Sequence, residues 1–177
     1  MSTRKLILAG FGGQGVLLIG QIISYAAMYE EKHVTFLPSY GPEMRGGTAN
    51  CTVIVSDDPI ACPLADSVTD LMAMNLPSLL KFESAVVAGG NIFLNSSLIR
   101  ESPRRSDVNV IPVDAAGLAE KIGNAKSSNI VMLGAIIKKT AVVRYETVEK
   151  VLAEKIFTGA KAALLAKNKP ALTAWTE

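Results

Sequence analysis

Histidine and cysteine are nearly missing from this chain: one histidine, His33, and two cysteines, Cys51 and Cys62, in 177 residues. No four-cysteine run of the kind that holds an iron–sulfur cluster is present, and no metal ligand set is expected. The two thiols could pair. The N-terminus, however, lacks the form of a secretory signal, so both are expected to be reduced. His33 could act as a base, although a lone histidine at an element boundary is more often structural. Charge is also scarce: 19% of residues are charged and the net charge is +2. That gives no case for nucleic acid or a membrane surface. No stretch of apolar residues long enough to span a bilayer runs without polar interruption, so no transmembrane helix is expected. The longest candidate, residues 16–28, carries Gln21, Ser24 and Tyr25. These absences together lead to the expectation of a soluble cytoplasmic protein.

What is present is core material. Hydrophobic residues make up 49% of the chain, enough for a well-buried interior, and the length suits one domain over residues 1–177. Lys5–Ala9 reads as a buried parallel strand ending in glycines. Residues from Gln14 to about Tyr29 read as a helix, and Val34–Leu37 as a second strand. Thr48–Val55 alternates, with Ala49, Cys51, Val53 and Val55 on one face. Further strands are expected at 71–74, 92–94 and 108–113, the last an edge or strand end because of Pro112. Asn75 is placed to cap a helix with Pro77 in its first turn, and that helix region is expected to end at Gly89-Gly90. Asp114 caps another helix, and Ser128 or Asn129 starts one that closes on Lys138-Lys139. Residues 145–157 read as amphipathic, followed by a helical tail from about residue 158 that frays near Pro170. Strands alternating with helices predict an α/β fold with a mainly parallel sheet.

Two segments carry chemistry. Gly10-Phe11-Gly12-Gly13-Gln14-Gly15 fits G-x-G-x-x-G between a strand and a helix. Glycines there permit a tight turn, and the free N–H groups of the helix start favour an anionic group. The same glycines could serve close packing alone, but the βαβ setting tips the reading toward anion or nucleotide contact. A site for NAD would want an acidic residue ending the second strand. That end reads Phe36-Leu37-Pro38-Ser39-Tyr40, and the missing carboxylate argues against NAD.

The second segment is Ser39-Tyr40-Gly41-Pro42-Glu43-Met44-Arg45-Gly46-Gly47, at the strand end where open parallel sheets place their ligands. Arg45 could grip a phosphate or carboxylate with its planar fork, and Glu43 could hold Arg45 or face a partner. The plainer alternative is a turn with a surface ion pair. Asp57-Asp58 could bind a metal, but beside Pro59 a turn is the better reading. Arg100, Arg104 and Arg105 could meet phosphates or an acidic partner, or form a solvated loop.

Together, the two glycine-rich segments resemble the gamma subunit family of 2-oxoacid:ferredoxin oxidoreductases, with the resemblance running from about residue 4 to about residue 155. The strand through Ser56-Asp57, residues 91–96 and residues 129–134 also match that family's layout. The resemblance implies a Rossmann-like three-layer domain. It implies a subunit of a complex that converts a 2-oxoacid and coenzyme A to acyl-CoA and carbon dioxide while reducing ferredoxin. Phe11 and the loop at residues 39–47 look more like the 2-oxoglutarate-type members. Coenzyme A is then the implied ligand, with Gly10, Gly12, Gly13, Gln14, Gly15, Ser39, Tyr40, Arg45, Gly46 and Gly47 as its candidate contacts. Thiamine diphosphate and iron–sulfur clusters are implied on partner alpha, beta and ferredoxin-like delta subunits. The chain itself has no Gly-Asp-Gly segment of the thiamine-binding kind, and no catalytic residue is assigned to it. A free-standing nucleotide-dependent oxidoreductase and a non-redox binding module are the alternatives.

Overall fold

Leu6, Ile7, Leu8 and Ala9 are all buried, Leu6 and Leu8 toward one hydrophobic cluster and Ile7 and Ala9 toward another. A strand apolar on both faces must lie between two covering layers. The computed structural model, which describes residues 3–40 and 47–176, places it there. β1 (Arg4–Phe11), β2 (His33–Tyr40), β3 (Thr48–Ser56), β4 (Val68–Ala73), β5 (Val86–Asn95) and β6 (Asn109–Val113) form one sheet in the order β2-β3-β1-β4-β5-β6. The β1–β4, β4–β5 and β5–β6 pairs are parallel, whereas β3 runs antiparallel to both β1 and β2. β3 alone is reversed, so the sheet is mostly parallel, as the alternation of elements predicts. The two outer strands, β2 and β6, carry Pro38 and Pro112. Only an edge strand tolerates the missing ladder donor.

The helices divide unevenly between the faces. α1 (Val16–Tyr29), α3 (Ala115–Lys121), α4 (Ser128–Thr140), α5 (Tyr145–Val151) and α6 (Ala163–Thr173) pack into the larger cluster. α2 (Leu76–Phe82) packs through Leu79 into the smaller one. Ile19, Ile22, Ile23, Ala26 and Ala27 form the inward stripe of α1, each fully buried. Each buried isoleucine contributes about 1.5–3 kcal/mol relative to its exposure.

The caps form where the sequence places them. Asn75 Oδ1 accepts from Ser78 N–H at 2.9 Å, and Asp114 Oδ1 accepts from Gly117 N–H at 3.1 Å.

Two expectations fail. Gly89-Gly90 does not end a helix region but lies inside β5, where Val86 and Asn91 pair with Val68 and Asp70. The β5 side therefore bulges. Gly89 absorbs the bulge at φ 76°, and its N–H donates to Asp107 O at 2.7 Å. Nor does the tail fray at Pro170, because α6 continues to Thr173. Packing outweighs the lost backbone bond: Leu172 is 3% exposed, and its carbonyl lies over Gly134 of α4.

Candidate functional site

The glycine motif begins at Gly10 within the last residues of β1, leaves the strand after Phe11 and enters α1 at Val16. A β-carbon on Gly10 would stand 2.7 Å from Gln14 Oε1, 2.8 Å from Val16 Cγ2 and 2.9 Å from Met74 Cβ. Gly10 is thus required by close packing. Gly15 caps α1 in the left-handed region, at φ 73° and ψ 21°, and no side chain caps the helix. The Asn129 amide nitrogen lies 2.3 Å from where a β-carbon of Gly15 would be. No acidic residue occupies the first turn of α1. Its opening N–H groups therefore keep their partial positive charge.

Gln14 holds the turn shut. Its Oε1 accepts from Phe11 N–H at 2.7 Å and from Asn75 Nδ2 at 3.1 Å. This candidate contact is therefore occupied, through that oxygen, in bracing the turn.

The other glycine segment meets the turn at its far end: Gly12 N–H donates to Gly47 O at 2.8 Å. Ser39 and Tyr40 close β2, paired with Asn50 and Ala49 of β3. Because β3 intervenes, they lie two strand spacings from β1, about 10 Å. The end of β2 is also not where a Rossmann site would hold a ribose, since β2 does not neighbour β1. Arg45 and Gly46, like Glu43, lie outside the described residues.

Two chambers flank the turn. The front chamber, about 520 Å³, is lined by Phe11, Gly12, Val16, Leu17, Phe36 and Pro38, among others. Among the described residues its lining carries no charged side chain. The back chamber, about 380 Å³, lies where the connections from β1 and β4 depart to opposite faces of the sheet. Its lining includes Gly13, Gly15, Asn95, Lys126, Ser128 and Asn129. Asn95, Lys126 and the contact of Asn129 with Gly15 were not singled out as site features in the sequence. Asn95 had one signal: it ends an apolar strand on the edge where ligands sit.

Other candidates fall away from this edge. His33 is exposed at the opposite end of β2. Burial pushes the Cys51 thiol up to about 12, so it stays protonated and non-nucleophilic. Arg105 is tied to Asp107 and to the Val86 carbonyl, and Arg104 N–H to Glu83, at the start of β5. That is the opposite edge of the sheet from the glycine turn. Asp58 N–H bonds to Ser56 Oγ at 3.1 Å, as in a turn. No cluster of potential metal ligands occurs among the described residues. No helix among them is long and apolar enough to cross a membrane.

The family described as pyruvate ferredoxin/flavodoxin oxidoreductase matches residues 5–175. The chain belongs to this family. Within the pyruvate ferredoxin/flavodoxin oxidoreductase family, it is 41% identical over 133 residues to the ketoisovalerate oxidoreductase subunit VorA of Methanothermobacter thermautotrophicus. That match covers 75% of the chain but only 28% of the relative. It is 32% identical over 170 residues to the 2-oxoglutarate synthase subunit KorC of Methanocaldococcus jannaschii, covering 94% and 91% of the two chains. Among solved structures, the gamma subunit of a keto/oxoacid ferredoxin oxidoreductase from Geobacter sulfurreducens superposes with a TM-score of 0.81 at 28% identity. That alignment covers 97% of this chain and 95% of the other.

Proposed function

We propose that the chain is the gamma subunit of a 2-oxoacid:ferredoxin oxidoreductase and that its front chamber takes part of coenzyme A. The carrying observation is the Gly12–Gly47 hydrogen bond, which joins the two glycine-rich segments beside the uncapped start of α1. Anionic phosphate is favoured at those N–H groups. The apolar walls from Phe11, Leu17 and Phe36 suit an aromatic base or the pantetheine arm. The absence of a carboxylate at the end of β2, and the distance of β2 from β1, favour coenzyme A over NAD.

In this reading the chain's residues bind and orient coenzyme A. Alpha, beta and ferredoxin-like delta subunits hold thiamine diphosphate and the iron–sulfur clusters, and ferredoxin takes the electrons. The proposed substrate is 2-oxoglutarate, supported by the match to KorC over nearly the whole of both chains. A second reading, a branched-chain 2-oxoacid, is favoured by the higher identity to VorA.

The test is reconstitution with the neighbouring subunits. The isolated chain should oxidise no 2-oxoacid. The complex should reduce ferredoxin with 2-oxoglutarate and coenzyme A faster than with ketoisovalerate. Faster turnover of ketoisovalerate would select the second reading, and NAD-dependent turnover by the lone chain would overturn both. Arg45→Ala should raise the KM for coenzyme A or weaken assembly. If neither changes, Arg45 has no part in the site.

A further inference from the structure

Two glycines, Gly12 and Gly13, lie between Phe11 and Gln14 at the tip of the turn after β1. Gly13 has φ 99°, and a β-carbon there would meet nothing within 4 Å, so the tip faces open space. Paired glycines give a backbone its widest freedom. A ligand that docks on such a tip must order it on binding, unless the protein has already done so.

The turn is braced by a closed ring. Gln14 N–H donates to Phe11 O at 3.1 Å, and Phe11 N–H donates back to Gln14 Oε1 at 2.7 Å. That ring needs the Gln14 amide to keep its oxygen toward Phe11, and Asn75 holds it there. Ser78 N–H, a fixed backbone donor, donates to Asn75 Oδ1 at 2.9 Å. The orientation of the Asn75 amide is thereby set, and its Nδ2 donates to Gln14 Oε1 at 3.1 Å. Asn75 is only 5% exposed, and the preceding Met74 N–H donates to Ala9 O at 2.9 Å, which keeps Asn75 level with the end of β1. Gly12 and Gly13 line the front chamber, whereas Asn75 lines neither chamber.

We propose that Asn75 is a positioning residue for coenzyme A, acting through Gln14. It does not touch the ligand. It holds Gln14, and Gln14 holds the glycine tip and the opening of α1 in the shape that the ligand meets. This rests on the reading that the front chamber takes part of coenzyme A, and it names the side chain that keeps that site preformed.

Asn75→Ser tests the assignment. Serine keeps an acceptor for Ser78 N–H at the cap but ends too short to reach Gln14. In the full chain, the urea midpoint should stay near that of the wild type, while amide exchange at Phe11 N–H becomes faster. In the complex reconstituted with its neighbouring subunits, the KM for coenzyme A should rise about three- to tenfold, the effect of one hydrogen bond. The KM for the 2-oxoacid and kcat should stay unchanged, a split that general loosening of the fold would not give. In a Gln14→Leu background the same substitution should change the KM for coenzyme A no further. Asn75→Thr, which also caps, should act in the same way and serves where the serine variant fails to fold. The proposal is overturned by wild-type exchange at Phe11 in these variants, by an unchanged KM for coenzyme A, or by additive effects of the Asn75 and Gln14 substitutions. A different result tests the reading beneath it: if coenzyme A gives residues 11–18 of the wild-type complex no added exchange protection, the coenzyme A site itself is overturned.

Discussion

Asn75 Nδ2 donates to Gln14 Oε1 at 3.1 Å while Asn75 Oδ1 caps α2. One side chain therefore joins the turn after β1 to the turn after β4, across the point where the connections of the sheet diverge. Phe11 N–H shares the same Gln14 oxygen. The geometry of the glycine turn consequently depends on a residue far away in the sequence.

Replacing Gln14 should expose that dependence. Gln14→Leu removes an acceptor that serves two donors and should destabilise the fold by about 1–3 kcal/mol. Gln14→Glu keeps an acceptor oxygen and should lose less. Urea denaturation of the two variants beside the wild type makes the comparison.

Gly10→Ala should cost about 1–3 kcal/mol by overpacking. The added carbon meets Gln14 Oε1, Val16 and Met74, all closer than 3 Å. The loss would appear as a lower urea midpoint at an unchanged slope. An unaltered midpoint would show that the turn has slack that the packing does not reveal.

Gly134→Ala targets the seat of α6. The new carbon would stand 2.1 Å from the Leu172 carbonyl oxygen, which belongs to backbone and cannot rotate away. α6 should lift, taking with it Trp175, the chain's single tryptophan and only 8% exposed. A red shift of tryptophan emission and faster proteolysis after residue 157 are expected.

Acid stability should depend on Glu30. Burial works against its charge, but hydrogen bonds from the Arg144 backbone N–H, Thr147 and Lys32 outweigh it and lower its pKa. A lowered pKa gives stability that is complete above the unfolded value, about 4.3, and is lost as pH falls through the folded one. Glu30→Gln should therefore be less stable than the wild type at neutral pH. The gap should narrow below about pH 4, as followed by thermal unfolding across that range.

Much of the scaffold was legible locally. Asn75 and Asp114 announce their helices because a short polar side chain can reach a free N–H only from the cap position. The alternation of Cys51, Val53 and Val55 gives the buried face of β3, since strand periodicity is a property of the backbone alone. Pro112 marks an edge for the same local reason. Gly89-Gly90 misled because glycine serves a helix end and a strand bulge equally well, and only the register against β4 distinguishes them. Pro170 misled because its local penalty, about 3 kcal/mol, is offset by the burial of Leu172 and Trp175, which the local sequence does not record.

The glycine turn and its helix were legible from residues adjacent in the chain, where spacing and conformational preference suffice, and the family from the turn taken together with the segment at residues 39–47. Which residues surround that turn was decided only by the fold. The insertion of β3 between β1 and β2 moves Ser39 and Tyr40 away from the turn and brings Gly47 to Gly12. The parallel alignment of β1, β4 and β5 sets Asn75 and Asn95 beside it. Strand order is a long-range choice governed by which faces can be buried together, and no short window of sequence records it.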